Sequence, residues 1–79
     1  MRIWEIPQGI TEITREYVKY KIPNKTIAVI VPNSVRRIDN LAFRDCTNLA
    51  SIVIPGGVET IGSSAFEGCQ SLESVMMYE

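Results

Sequence analysis

The chain says one thing twice. From Pro32 it reads PNSVRRIDNLAFRDCTNLASIVI and from Pro55 it reads PGGVETIGSSAFEGCQSLESVMM, two segments of 23 residues laid end to end. In this alignment Pro32/Pro55, Val35/Val58, Ile38/Ile61, Ala42/Ala65, Phe43/Phe66, Cys46/Cys69, Leu49/Leu72 and Ser51/Ser74 are identical. Ile52/Val75, Val53/Met76 and Ile54/Met77 exchange one apolar residue for another. A repeat with a period in the twenties predicts a stacked solenoid, because each unit buries its apolar edge only against its neighbours. The repeats should place Phe43 over Phe66 and Ile38 over Ile61 in one continuous core.

Two spacings alternate within a unit. Leu49, Ile52 and Ile54 have the spacing of a short strand that sends alternate side chains inward. Pro55 ends that strand, since it has no N–H to give to a ladder. Val58 and Ile61 then put two apolar groups three apart, which suits one helical turn or an extended segment. In SSAFEGC, Ser64 and Glu67 have capping-box spacing, so a short helix or 3₁₀ turn presenting Ala65, Phe66 and Cys69 inward is expected.

The first part of the chain fits less closely. IPQGITEI at 6–13 repeats half a unit, but Pro7 lies 25 residues before Pro32, and Tyr17-Val18 stands where Ala-Phe is expected. Residues 26–31 keep a strand (Val29, Val31). Residues 1–29 therefore read as a diverged first repeat or cap, followed by regular repeats at 30–54 and 55–79, in a single domain of about three coils, near the minimum such a stack needs.

Composition permits a fold but names no partner. Hydrophobic residues are 46% and charged residues 22% of the 79, and the net charge is −1, so nothing global steers the chain to nucleic acid or an anionic membrane. No apolar run reaches the length of a membrane span, and MRIWEIPQG lacks the apolar stretch of a signal peptide. Residues 1–25 carry five basic and three acidic side chains, a mild excess against the rest.

The pattern I-x-I-P-x-x-V-x-x-I-x-x-x-A-F-x-x-C-x-x-L, held twice over residues 30–77, resembles the BspA-like type of leucine-rich repeat, which occurs in tandem in many bacterial and some protozoan surface proteins. The resemblance implies an α/β solenoid: a right-handed coil with short parallel strands on a concave face and short helical or 3₁₀ turns on the convex face. It also implies adhesion or other binding of a protein or cell-surface ligand, from the cell surface or in secreted form.

Chemistry is sparse. The chain has no His, so Ser63, Ser64, Ser71 and Ser74 have no imidazole to activate them, and no catalytic residue, metal site or cofactor is expected. Cys46 and Cys69 occupy one repeat position and read as two stacked inward thiols, near enough for oxidation to be conceivable. Asp39, Asp45, Glu59, Glu67 and Glu73 read as solvated or capping charges. REYVKYK at 15–21 interleaves basic and aromatic residues as nucleic-acid binders do, but with balanced net charge it reads better as a cap whose Tyr rings cover the core end. NKT at 24–26 has the form of a glycosylation sequon.

The strand face is left as the candidate site. With Leu49, Ile52 and Ile54 inward, Ser51 and Val53 point outward, and their counterparts one unit on are Ser74 and Met76, beside Glu73. Ile30, Val53 and Met76 should form an outward apolar stripe where a partner docks, against the alternative that β-branched residues merely suit strands. A second expectation is self-association. Val75, Met77 and Tyr78 lie where another coil would begin, so a homodimer or end-to-end oligomer would cover them.

Overall fold

The structure is a computed structural model and describes residues 2–78. It is a parallel solenoid of about three turns, with elements β1 (Ile3–Glu5), β2 (Glu12–Ile13), α1 (Arg15–Lys21), β3 (Ala28–Ile30), β4 (Arg37–Ile38), β5 (Ser51–Ile54), β6 (Thr60–Ile61) and β7 (Ser74–Met77). One sheet has the order β1-β3-β5-β7 and a second the order β2-β4-β6, every pairing parallel.

Register follows the repeat. Ile30 pairs with Val53 and Val53 with Met76, while Ile38 pairs with Ile61. Val58 and Ile61 thus frame an extended segment, not a helical one, and the residue before Ile61 joins it in the second sheet. The strand at Ile3–Glu5 was not anticipated, although WEIP at 4–7 has the spacing of VIVP at 29–32 and IVIP at 52–55.

The interior alternates as the strands require. Val29, Val35, Phe43, Leu49, Ile52 and Ile54 are fully buried, with Ile38 almost so. Phe43 stacks on Phe66 with ring centroids 5.6 Å apart and planes 9° from parallel, as the alignment of the repeats demands. At the other end Trp4 stacks on Tyr17 at 5.9 Å and closes the core above Ile13 and Val18. The capping role expected of 15–21 falls on Tyr17, while Tyr20 is exposed.

Of the short helix or 3₁₀ turn expected at SSAFEGC and its counterpart, no helix forms; the chain there is closed instead by successive i→i+3 hydrogen bonds, from the Ala65 amide to Gly62, Glu67 to Ser64 and Cys69 to Phe66. Residues 40–45 and 63–68 run as successive turns, and the α/β description reduces to a β-solenoid with one helix among the described residues. The Ser64 amide donates to Asn40 Oδ1 of the coil before it (2.7 Å), and the Glu67 amide donates to the Ser64 carbonyl (3.1 Å), so no capping box closes. Leu41 and Asp45 have φ of 68° and 60° and Gly68 has 77°, left-handed values that stop a right-handed helix within one turn. Asp tolerates that conformation and Gly adopts it freely, which is why one repeat position holds either.

A helix does form in the first coil. Strands β1 and β2 are spaced as β3 and β4 are, so the two extra residues of this repeat fall between β2 and β3, within the stretch that holds α1. REYVKYK contains no Gly or Pro, Thr14 caps it by accepting from the Tyr17 amide at 3.0 Å, and Lys19 and Lys21 sit in its last turn.

Candidate functional site

The outward face of the longer sheet is built by strand alternation. Ile52 and Ile54 are fully buried, so Ser51 and Val53 between them face out, half-buried by their neighbours. Carried across the ladder, one row reads Glu5, Ile30, Val53, Met76 and the adjacent row Ile3, Ala28, Ser51, Ser74. The stripe is therefore apolar for three strands and ends on a carboxylate at β1, which forms no ion pair among the described residues.

Where the strands end, Pro7, Pro32 and Pro55 border a groove of about 510 Å³. Ile30, Val53, Glu5 and Tyr78 also line it. Tyr78, expected only at a self-association surface, thus lies beside the stripe, fixed by its amide donating to the Ile54 carbonyl at 2.9 Å. Met76 continues the row but does not line the groove. Ser51, Glu73 and Ser74 sit at the opposite, entering end of the strands. The structure splits the candidate residues into a groove group (Ile30, Val53, Tyr78) and a strand-start group (Ser51, Glu73, Ser74), joined by Met76.

The groove residues that sequence reasoning missed are Glu5, Tyr78 and the prolines. The prolines carried a signal: each strand-ending Pro must lie on the same rim as the last, because the coils stack in register.

The last coil is uncovered. Val75 is 45% and Met77 63% exposed, whereas their counterparts Ile52 and Ile54 are sealed under β7. Residues 55–79 contain no Lys or Arg and four Glu, so this end is acidic as well as apolar.

The thiols are reduced and half-buried. Cys69 Sγ donates to the Phe43 carbonyl at 3.0 Å. Burial pushes the Cys46 thiol up to about 11, with Cys69 and Asp45 adding to the rise against a lowering by Arg15. Burial also raises Cys69, partly offset by a hydrogen bond from the Cys46 backbone. Thiols held protonated are poor nucleophiles and poor metal ligands. Among the described residues no group of three His, Cys, Asp or Glu could hold a metal ion, and no helix is long and apolar enough to cross a membrane.

The sequon threonine has a local task. Thr26 is buried, and its hydroxyl donates to the Pro23 carbonyl at 2.6 Å, tying the turn that leads into β3. Arg15 Nη1 donates to the Arg44 carbonyl, and Arg44 pairs with Asp45 and Glu67. REYVKYK thus ties coils together, with Val18 sealed beneath it.

No curated protein and no solved structure matched the chain. Residues 2–79 match the family model described as "BspA type Leucine rich repeat region (6 copies)". With nearly the whole chain covered, and with stacked parallel coils whose register follows the repeat, the protein belongs to the BspA-type leucine-rich repeat family.

Proposed function

We propose that the chain is a non-enzymatic protein-binding module whose ligand lies along the outward face of the longer sheet. Membership of a leucine-rich repeat family points to a protein-interaction scaffold. The observation that carries the finer reading is the unbroken row Ile30, Val53, Met76 running beside a 510 Å³ groove. Apolar rows bordered by polar groups suit an extended polypeptide, which buries alternate side chains and leaves Ser51 and Ser74 to hydrogen-bond its backbone. Adhesion to a surface protein is the use the family resemblance favours.

A displayed library of extended peptides, panned against the immobilised chain, tests this. Selected binders should lose roughly tenfold or more in affinity on Val53→Glu, which places a charge in the middle of the row. Binders indifferent to Val53→Glu and Ile30→Glu would move the site elsewhere.

The exposure of Val75, Met77 and Tyr78 favours a second reading, self-association through the last coil. Met77→Glu should then abolish association while Met76→Glu removes peptide binding and leaves it. Because Met77 is 63% exposed, its replacement should leave the isolated chain about as stable as before.

A further inference from the structure

We propose that a second binding site lies between the first and second coils, a cationic cavity that takes a sulfate or phosphate ester carried on a small hydroxylated body such as a sugar. The hollow, of about 420 Å³, is bounded by α1, the turn leading into β3 and the turns at residues 44–48. That is in the range of cavities that hold small molecules, roughly 300–1,000 Å³. None of its lining residues belongs to the outward sheet row or to the groove beside it, so the site stands or falls independently of the peptide-binding reading.

Charge is concentrated there. The chain has eight Lys and Arg against nine Asp and Glu. Four of those cations, Arg15, Lys19, Lys25 and Arg44, line this one cavity, and Asp45 is the single carboxylate beside them. Four positive charges less one negative leave an excess of three at one hollow of a chain whose net charge is −1. A concave surface lined by one sign of charge draws in ions of the other.

Most of this charge is uncompensated. Asp45 lies 3.6 Å from Arg44, which also reaches Glu67 at 3.4 Å. Arg15, Lys19 and Lys25 pair with no carboxylate among the described residues. Arg15 Nη1 donates to the Arg44 carbonyl at 3.1 Å, which holds the half-buried guanidinium between the coils. Lys25 stands on the turn that the Thr26 hydroxyl ties, and Lys19 rests its Nζ 5.6 Å from the centre of the exposed Tyr20 ring. Like charges gathered around one space repel, and an oxyanion among them removes the repulsion while accepting charge-assisted hydrogen bonds.

The rest of the lining selects the carrier. Asn24, Thr47 and Asn48 supply neutral amides and a hydroxyl, which suit the hydroxyls of a sugar. Cys46 adds no negative charge at neutral pH, because burial keeps its thiol protonated. No strand residue lines the cavity, so an acidic peptide would find partners for its carboxylates but no sheet edge for its backbone.

Amide chemical shifts of the chain, followed by NMR during titration with a sulfated disaccharide at low salt, test the proposal. Saturable shifts centred on residues 15–26 and 44–48, weakening as salt rises, are expected. Inorganic sulfate should bind at the same amides roughly tenfold more weakly, and the unsulfated disaccharide should not bind. A sugar phosphate run beside them shows which ester is preferred; tighter binding of either ester than of inorganic sulfate supports the site. Lys19→Gln combined with Lys25→Gln should weaken the ester by roughly tenfold. Lys21→Gln, in α1 but outside the cavity, should change it by less than about twofold. Circular dichroism identical to the parent chain shows that the variants fold; if the double variant does not, Lys25→Gln alone should still cost roughly threefold. Shifts absent from these residues, or a loss on Lys21→Gln equal to that of the cavity pair, overturn the site. An acidic hexapeptide that binds these amides more tightly than both esters, or inorganic sulfate that equals them, overturns the ligand class.

Discussion

Position in the stack, more than residue type, sets what a side chain contributes. Phe43 has a coil on each side and is fully buried, while Phe66 has one and is only partly so. Phe43→Ala should cost about 3–5 kcal/mol and Phe66→Ala clearly less, by chemical denaturation. Gly62 shows the same dependence on neighbours. Its amide donates to the Ile38 carbonyl at 2.8 Å, and a Cβ there would collide with the Asn40 backbone, so Gly62→Ala should separate the two coils locally and lower the denaturation midpoint. The thiols follow a different variable. Folding raises the Cys46 thiol from 9.0 to about 11, so the fold holds its proton where the unfolded chain releases it. That contribution is intact below pH 9 and declines as pH rises toward 11. Cys46→Ser should flatten this alkaline decline, and alkylation of the native chain at pH 8 should run slower than of the urea-unfolded chain.

At the scale of elements, the first repeat departs from the others where its composition does. Two added residues give room to replace the turn of the later coils by α1, started by the Thr14 cap, whose Tyr17 meets Trp4 and closes that end. Removing the Thr14 cap by Thr14→Ala should cost about 1 kcal/mol, read as a lower unfolding midpoint with the groove intact. Much of this was legible in the residues. Identical positions 23 apart gave the strand register and the Phe43–Phe66 stack, because a parallel ladder places equivalent residues side by side. At SSAFEGC a short helix and a tight turn were both open, and the turn prevails because capping-box spacing describes only a helix start, while the left-handed backbone at Gly68, as at Asp45 one coil before, stops a helix soon after it begins. The second sheet was half legible, since two apolar residues three apart fit either a helix or an extended segment. Tyr78 was missed at the groove because its place depends on the bend of the chain after β7, which no periodicity records.

For the whole molecule, each coil touches only the coils beside it, so stability should be distributed by position. The second coil is clasped on both faces, the first is closed by aromatic stacking, and the last is exposed. Amide hydrogen exchange should therefore be slowest in β3 and β5 and fastest in β7, and Trp4→Ala should speed β1 far more than β7. Uniform protection across all four strands would mean that the coils open only together.

The in-register ladder also makes length a digital property. Because from the second coil onward the strands, the prolines of the rim and the stacked rings return after 23 residues, inserting a copy of 32–54 between the second and third coils should leave every lateral surface in place. It should lengthen the rod by one inter-strand step of about 4.8 Å. An insertion of 22 or 24 residues would keep the register only if a turn took up the difference, as α1 takes up two extra residues in the first coil. Such a chain works as a ruler whose smallest division is one coil.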